Sequence, residues 1–447
     1  MRHTRIPIIL GAVLLGAAAT AYGVVPRAGS HRAQTQLAAD GIPSLLAPSN
    51  NLVSKAAAAG FVTDPTNASS DAVTAHADAV APTTSAMSID VGGHTLMVQR
   101  AGSATLDDGG QLWEGVAKDT AKAGFATAPA DPADEVTLVR HGDEITGTVH
   151  TDGKLFRIQP VDGGGHTVTE VDIANLPPEH TDILPSGGAR YDRDGPLPPK
   201  EAKTKADKAV KAAKKAAKRD RDAKKKAAKG KNVTIRVLVV GTAQAEKANH
   251  GAMKAMAQLA VAETNRGYQN SGVHITMKLA GYQTIKHQEA GFTSDLNQMV
   301  TPRDAGLKSM HKLRDKKKAD LVVMLVSDRS LCGLGFLGAT AERAFSVVST
   351  TCATGLYSFA HEMGHNQGAQ HDQATSPSQR PFPYGHGFRI DGQFRTIMAY
   401  ACPRSCQRIN YWSNPKVKFR GTKLGNSEIS DNARVLNETA QRVSHFR

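Results

Sequence analysis

The sequence predicts an α/β protein in which a mostly β module precedes a larger domain that mixes strands and helices. Three observations lead to this fold class. Short β-rich runs separated by Gly-Asp and Asp-Gly turns occupy the first half of the chain. Strand-like runs alternate with helical apolar spacing over residues 232–447. A segment rich in Lys and Ala, residues 200–231, separates the two regions.

The chain begins with the pattern of a secretory signal peptide. Arg2 and Arg5 precede the apolar run Ile6–Thr20, and the small residues Ala19–Ala21 fit an A-x-A cleavage site. We therefore predict a signal peptide over residues 1–21. The alternative is a membrane anchor, which needs about 20 apolar residues. The sequence favours an exported, extracellular product without a membrane association, in a compartment where disulfides form.

Two regions of different composition follow. Residues 22–86 are rich in Ala, Ser, Thr, Pro and Asp and contain few large apolar side chains, which predicts a weakly ordered, low-complexity leader. From Met87 the pattern changes to β-rich runs, so we predict a small, mostly β module over residues 87–199. The runs are His94–Val98, Glu135–Val139, Glu144–Val149 and Leu155–Ile158.

The positive charge is concentrated in the Lys- and Ala-rich segment. The whole chain has a formal charge of +14, and residues 200–231 hold 15 Lys and Arg against 4 Asp and Glu, a local charge of +11. The remaining +3 gives no indication of specific nucleic-acid binding by the folded parts. Without an apolar stripe the segment is predicted to be a solvated linker that is open to proteolysis. A polybasic arm for anionic surfaces is the alternative.

Residues 232–447 are predicted to form one α/β domain. The apolar residues of Glu246–Tyr268 recur at helical spacing, and four other runs have the composition of strands. These strands are Val233–Val240, Val273–Leu279, Asp320–Val326 and Phe345–Ser349. The last strand is interpreted either as an edge that pairs with an extended peptide or as a core strand.

A cluster of histidines near the middle of this domain indicates metal chemistry. His361 and His365 are four residues apart, so on a helix they share one face and point at one metal. Gly368 allows the chain to turn back and bring His371 to the same ion. Three imidazoles and one open position are typical of a catalytic zinc. Glu362 lies beside the first ligand, within reach of a water on the ion.

The alternative for such a motif is chance on an ordinary polar helix. Six positions match, namely the three histidines with Glu362, Gly368 and Asp372. At about one in twenty per position, the expected number of chance matches in this chain is on the order of 10⁻⁵. The sequence therefore predicts one Zn²⁺ as cofactor.

The run Thr396–Tyr400 follows the third histidine and, with the histidine motif, resembles the metzincin zinc proteases. The resemblance implies a mixed twisted sheet, a zinc helix and a carboxyl-terminal Met-turn subdomain. It also implies that His361, His365 and His371 bind zinc, that Glu362 is the general base and that Met398 lies beneath the metal. Tyr400 is implied as a second catalytic group that binds zinc or the oxyanion. Core packing is the alternative for Met398 and for Tyr400.

Further motifs are similar to the bacterial peptidyl-Asp metalloendopeptidases, which are reprolysin-like, Asp-N type proteases. These motifs are Cys352–His361, Tyr384–Gly387, Arg395–Tyr400, Arg408–Pro415 and Asn432–Glu438. The resemblance covers residues 232–447 and implies an endopeptidase that cleaves on the amino side of Asp. Its mechanism is the attack of a zinc-bound water with help from Glu362. The expected partners are protein or peptide substrates, and the expected state is a monomer.

An Asp preference requires a cation beyond the scissile bond, and the fork of Arg matches a carboxylate best. Arg395 is nearest the Met-containing run, with Arg408 and Arg389 behind it, and a surface charge is the alternative for each. His386 is interpreted as a structural residue. Among three connectivities we favour Cys332 with Cys352 and Cys402 with Cys406, which would brace the chain before the histidine helix and just after the Met-containing run. A structural metal is the alternative, although the spacings do not suit a four-Cys zinc site.

The extra amino-terminal residues suggest a zymogen. Residues 22–231 would form a propeptide, and Asp220 or Asp222 in the linker would suit self-cleavage. No Cys precedes Cys332, so a propeptide Cys cannot block zinc, and His180 is one candidate for that role. The alternative to an enzyme is a secreted binding protein with a structural zinc site and a polybasic arm.

Overall fold

The computed structural model describes residues 41–118, 130–180, 184–185 and 232–447 as a mixed α/β fold. The predicted signal peptide (1–21) and the predicted linker (200–231), with Asp220 and Asp222, lie outside the described residues. None of the helices that the structure describes is long and apolar enough to cross a membrane.

The amino-terminal part, called the β module below, is residues 41–118 and 130–180. Its nine strands form one antiparallel sheet in the order β1-β2-β9-β8-β7-β6-β5-β4-β3. The strands are β1 (Leu46–Pro48), β2 (Asn67–Ala75), β3 (Ala86–Val91), β4 (His94–Thr105), β5 (Gln111–Lys118), β6 (Ala130–His141), β7 (Glu144–Thr151), β8 (Lys154–Pro160) and β9 (His166–Val171). Helix α1 (Leu52–Val62) lies against β2 and β9. All four β-rich runs of the sequence fall within these strands.

The two ends of this sheet meet. Leu45 N donates to Ser88 O at 2.8 Å, and Ser88 N donates to Pro43 O at 2.9 Å. These bonds connect the chain before β1 to β3, so the sheet closes on itself around an apolar interior that includes Trp113 and Leu138. Closure leaves few unpaired backbone groups at the ends of the sheet.

The prediction of a weakly ordered leader over residues 22–86 is wrong for its described part, residues 41–86. That part supplies β1, α1, β2 and the first residue of β3. Its large apolar residues are few, but Leu45 and Leu46 are fully buried. The many Ala, Ser and Thr side chains suit the alternating faces of a strand. Composition alone misled the prediction because the positions of a few apolar residues decide burial.

The second sheet is built mostly from residues 232–447 and has the order β10-β14-β15-β13-β11-β12. Its strands are β10 (Leu184–Pro185), β11 (Val233–Thr242), β12 (Ile275–Ile285), β13 (Leu321–Val326), β14 (Gly333–Leu337) and β15 (Phe345–Ser349). Strands β12, β11, β13 and β15 run parallel, and β14 runs antiparallel to β15. Strand β15 lies between β13 and β14, so the interpretation of Phe345–Ser349 as an edge strand is wrong.

Helices cover both faces of this sheet. They are α2 (Ala243–Ala248), α3 (Met253–Asn270), α4 (Phe292–Val300), α5 (Ala305–Lys317), α6 (Thr350–Ala353), α7 (Ser358–Gln367) and α8 (Asn432–Val443). Helices α3, α7 and α8 share one buried apolar cluster with the sheet, and α4 and α5 share another on its opposite face. The single helix predicted over Glu246–Tyr268 is divided in two, because His250 and Gly251 both have positive φ.

The chain after α7 forms small strands and two turns beside the metal motif. The strands are β16 (Arg389–Ile390), β17 (Phe394–Arg395), β18 (Gln407–Arg408), β19 (Asn414–Phe419) and β20 (Thr422–Leu424). Both predicted disulfides are present. Cys332–Cys352 joins the chain before β14 to α6, and Cys402–Cys406 closes a short loop before β18.

The β module contacts the α/β domain largely through buried polar groups. Thr148 Oγ1 donates to Glu263 Oε1 of α3 at 2.7 Å, and Glu135 accepts from Asn270 and Asn410 at 2.8 and 3.1 Å. His150 Nε2 donates to Gly355 O at 2.8 Å, just before α7. The module therefore touches the elements that carry the histidine motif.

Candidate active site

Helix α7 places two histidines of the motif on one face, and the turn after it supplies the third. Gly368 follows the last helical residue with φ 108°, a left-handed conformation that favours glycine, and reverses the chain as predicted. The Nε2 atoms of His361 and His365 are 3.1 Å apart. His371 Nε2 lies 3.1 Å from the first and 2.9 Å from the second. The structure thus brings the three predicted ligands together.

The three imidazoles fit a zinc ion. His365 Nδ1 donates to the backbone carbonyl oxygen of Ala369 at 2.9 Å, so its Nε2 lone pair is free and faces the other two rings. His361 Nδ1 lies 2.9 Å from Ile397 O and 2.7 Å from Arg408 Nη2. Burial, with neighbouring positive charges, holds the pKa of all three rings well below the ordinary value. Around a tetrahedral zinc with bonds of about 2.0–2.1 Å, ligand nitrogens lie about 3.3 Å apart, close to the separations found.

Glu362 lies beside this cluster and is only 2% exposed. Its carboxylate packs on strand β14, where an added Cβ at Gly333 would lie 2.4 Å from Oε1 and one at Gly335 would lie 3.1 Å from Oε2. Burial raises the pKa of Glu362, and the nearby His180 opposes this rise. Oε2 has no hydrogen-bond partner within 3.5 Å among the described residues, and His180 Nε2 lies 3.6 Å from it.

Met398 lies directly against α7 on the side away from solvent. It is fully buried, and its Sδ lies 3.0 Å from the position that a Cβ at Gly364 would take. The surrounding chain turns at Ile397 and Met398, with Ala399 N donating to Thr396 O at 3.0 Å. The Ile397 carbonyl oxygen lies 2.9 Å from His361 Nδ1, so this turn contacts one of the three predicted ligand rings.

Tyr400 stacks on the third histidine, with ring centroids 4.1 Å apart. Its hydroxyl is buried without a hydrogen-bond partner among the described residues. Burial, and then the nearby carboxylates, raise the pKa of Tyr400, so the hydroxyl stays protonated and can donate. Asp372 Oδ2 accepts from Tyr400 N at 3.1 Å, and Arg389 Nη2 lies 3.3 Å from Asp372 Oδ1. Arg389 therefore supports the Tyr400 turn.

The other two candidate specificity residues converge on one carboxylate. Arg395 Nη1 and Arg408 Nη1 lie 2.9 and 2.8 Å from Oε1 of Glu179, which belongs to the β module. Both arginine side chains are at most 10% exposed. Burial acts to raise the pKa of Glu179, but Arg408 and Arg395 outweigh it and hold that pKa below its ordinary value. No sequence pattern predicted this contact, because Glu179 and Arg395 are 216 positions apart.

His180, the next residue, lies over the three histidines. One ligand atom from each of the four rings lies within 4.8 Å of the others, and His180 is 3% exposed. His180 Nε2 lies 3.6 Å from Glu362 Oε2. His180, which the sequence analysis named as one candidate for blocking the zinc, therefore lies beside the three histidines.

Two further residues support the site. His386 Nδ1 donates to the carbonyl of His371 at 2.9 Å, so the residue that was interpreted as structural holds the loop of the third predicted ligand. Asn366 Nδ2 of α7 donates to Phe336 O at 2.9 Å and ties the helix to β14. The alternating glycines in Gly333-Leu334-Gly335 are a sequence pattern that could have predicted the close approach of α7 to β14.

A buried carboxylate beside three converging imidazoles, at the edge of a mixed α/β sheet, defines a metallopeptidase site. Comparison with known families agrees, since residues 231–413 match the model of Metallo-peptidase family M12, a reprolysin-type domain. The chain is 41% identical over 392 residues to a peptidyl-Asp metalloendopeptidase of Xanthomonas campestris. The aligned region covers 86% of this chain and 88% of that protein. The chain belongs to this family and is a metalloendopeptidase.

Other known proteins are also similar. A peptidyl-Asp metalloendopeptidase of Stenotrophomonas maltophilia is 39% identical over 379 residues, covering 83% of this chain and 85% of the relative. The crystal structure of metalloproteinase-II from Bacteroides fragilis matches at a TM-score of 0.35 and 11% identity, covering 64% of this chain and 81% of that one.

Proposed function

We propose that the chain is a secreted zinc endopeptidase, made as a zymogen, that cleaves peptide bonds on the amino side of Asp. One observation carries the proposal: the Nε2 atoms of three buried histidines converge within 3.1 Å of one another, with the carboxylate of Glu362 beside them. His361, His365 and His371 would hold the zinc, and the metzincin class accounts for Met398 beneath them.

A zinc ion held by His361, His365 and His371 would supply Lewis acidity to the substrate carbonyl and would lower the pKa of water toward neutrality. Glu362 takes the proton of the attacking water and passes it to the leaving amine, which completes peptide hydrolysis. The Tyr400 hydroxyl, protonated and unpaired in the described part of the chain, donates to the oxygen that gains charge. The Ala369 carbonyl keeps the imidazole of His365 in the tautomer that leaves Nε2 free.

The Asp preference is assigned to Arg395 and Arg408. Two buried guanidinium groups are costly unless a carboxylate neutralises them. In the intact chain Glu179 supplies that carboxylate, and once the β module has left, an acidic substrate side chain would replace it. Arg389 is not assigned this role because its guanidinium already pairs with the carboxylate of Asp372, 3.3 Å away in the same domain.

Glu362→Gln tests the chemistry. The variant should bind zinc with the same stoichiometry as the wild-type chain and lose peptide hydrolysis, because an amide cannot accept the proton. Cleavage of an Asp-containing peptide by the wild-type chain should also stop with a zinc chelator and return with added zinc. Undiminished hydrolysis by Glu362→Gln, or chelator-resistant hydrolysis, would contradict the proposal.

A further inference from the structure

We infer that the segment Pro177–His180 is an internal inhibitor that acts at two points, with His180 as a fourth ligand to the metal and Glu179 in the place of a substrate's acidic side chain. The inference rests on the proposed function. It adds a mechanism that keeps the zymogen inactive. Because the propeptide contains no Cys, other residues must block the metal.

His180 is placed to complete the metal's coordination. Its ring centroid lies 5.0 Å from those of His365 and His371, and its ligand atom is within 4.8 Å of all three others. A catalytic zinc keeps one position open for water or substrate, whereas a fourth protein ligand closes it. His180 also lies 3.6 Å from Glu362 Oε2, the carboxylate oxygen that would otherwise take the water's proton.

Glu179 occupies the arginine pair at the same time. Its Oε1 accepts from Arg395 at 2.9 Å and lies 2.8 Å from Arg408 Nη1. The three side chains are at most 15% exposed, so little water competes for these contacts. A free substrate cannot place an acidic side chain there while Glu179 remains.

The chain near the segment also lies at the edge of the catalytic sheet. Cys332 N donates to Pro178 O at 2.9 Å, and Leu184 and Pro185 of β10, which follow the segment in the chain, pair in parallel with Phe336 and Leu337 of β14. An extended peptide binds to a sheet by adding to an exposed edge strand, and β10 takes part of this edge. The described contacts of His180 and Glu179 therefore block the metal and the acid-binding pair together.

Co²⁺ in place of zinc tests the ligand role without measuring catalysis. The intact Glu362→Gln chain would be loaded with Co²⁺, and its visible absorption compared with that of the Glu362→Gln/His180→Ala double variant. Replacement of an imidazole by water should change the position and intensity of the cobalt bands. His94→Ala, an exposed histidine of the β module, is the matched control and should leave them unchanged. Identical spectra for the His180 variant and the parent would overturn the ligand role.

Peptide binding tests the second contact. A fluorescent peptide with one Asp, and its Asn counterpart, would be titrated into the intact Glu362→Gln/His180→Ala chain, in which His180 no longer closes the metal. Glu179→Ala should lower the Kd of the Asp peptide by about tenfold or more, the usual effect of a charged hydrogen bond. The Kd of the Asn peptide should not fall by this factor. Glu144→Ala, an exposed acid in the same module, is the control. Equal affinity with and without Glu179 would refute the substrate-like role.

The two failures are distinguishable. If the intact Glu362→Gln chain takes up no Co²⁺ at the three histidines, the proposed zinc function itself is wrong. If it binds one Co²⁺ but neither the spectrum nor the peptide affinity responds to His180 and Glu179, the enzyme assignment stands and the inhibitor is refuted.

Discussion

Gly333→Ala should separate catalysis from stability in this enzyme. Gly333 begins strand β14 and faces the carboxylate of Glu362. A Cβ at this position would lie 2.4 Å from Oε1, 2.7 Å from Cγ and 2.8 Å from Cδ of that side chain. Ordinary contact requires roughly 3.5 Å, so the carboxylate must retreat by about 1 Å.

The displaced atoms belong to the end of a flexible side chain, and the backbone of β14 can stay in place. The cost to folding should therefore be small. The cost to catalysis should be large, because a 1 Å misplacement of a reacting group lowers the rate by on the order of 100-fold. That loss corresponds to about 2.7 kcal/mol of transition-state stabilisation. We expect kcat to fall by this factor while the zinc content stays at the wild-type level.

The assay compares kcat for one Asp peptide, zinc per chain and melting temperature among three proteins: the wild type, Gly333→Ala and Gly281→Ala. Gly281 is the control because its added Cβ would meet only ordinary contacts, the nearest at 3.7 Å. Wild-type kcat in Gly333→Ala would refute the placement of Glu362 as the base. A loss of zinc or a large fall in melting temperature would show that the substitution acts on the fold.

Three further predictions concern specificity, pH and metal affinity. Arg395→Ala should lower the ratio of kcat/KM for Asp over Asn peptides by about tenfold or more, whereas the exposed Arg404→Ala should not. Burial raises the pKa of Glu263 from 4.5 to about 7, so its stabilising contribution is full below pH about 4.5 and is lost as pH rises through about 7. The free energy of unfolding of the intact Glu362→Gln chain, measured by chemical denaturation, should fall by up to about 3 kcal/mol over that pH range. Adding Glu263→Gln should abolish this fall. His386→Ala should weaken zinc binding by about tenfold, measured by competition with a chelator, and unchanged affinity would remove its positioning role.

The local parts of the site were predictable and the long-range parts were not. The spacing of His361, His365, Gly368 and His371 sets a helix face and a turn, so a short stretch of sequence contains the whole ligand geometry. The strand Phe345–Ser349 was found, but its place in the sheet depends on which strands flank it. Sheet order is set by packing between distant segments, which no single run of residues encodes.

Glu179 shows where sequence reasoning stopped. An acidic residue after two prolines matches no sequence motif. Its role is visible only from its contacts with Arg395 and Arg408, which lie more than 200 positions later in the chain. Residues 41–86 show a different limit. Their low apolar content predicted little order, yet a strand needs few large side chains when its neighbours complete the interior, as around Leu45 and Met87.

The closed sheet of the β module has a consequence for the fate of that part of the chain. A strand with unpaired backbone groups is a template for association with other chains. Because Leu45 and Ser88 join the two ends of the sheet, a module cut away from the peptidase would offer few such templates. A β module released in this way would be a folded fragment with little tendency to aggregate. The peptidase domain would then act in the presence of soluble β-module fragments.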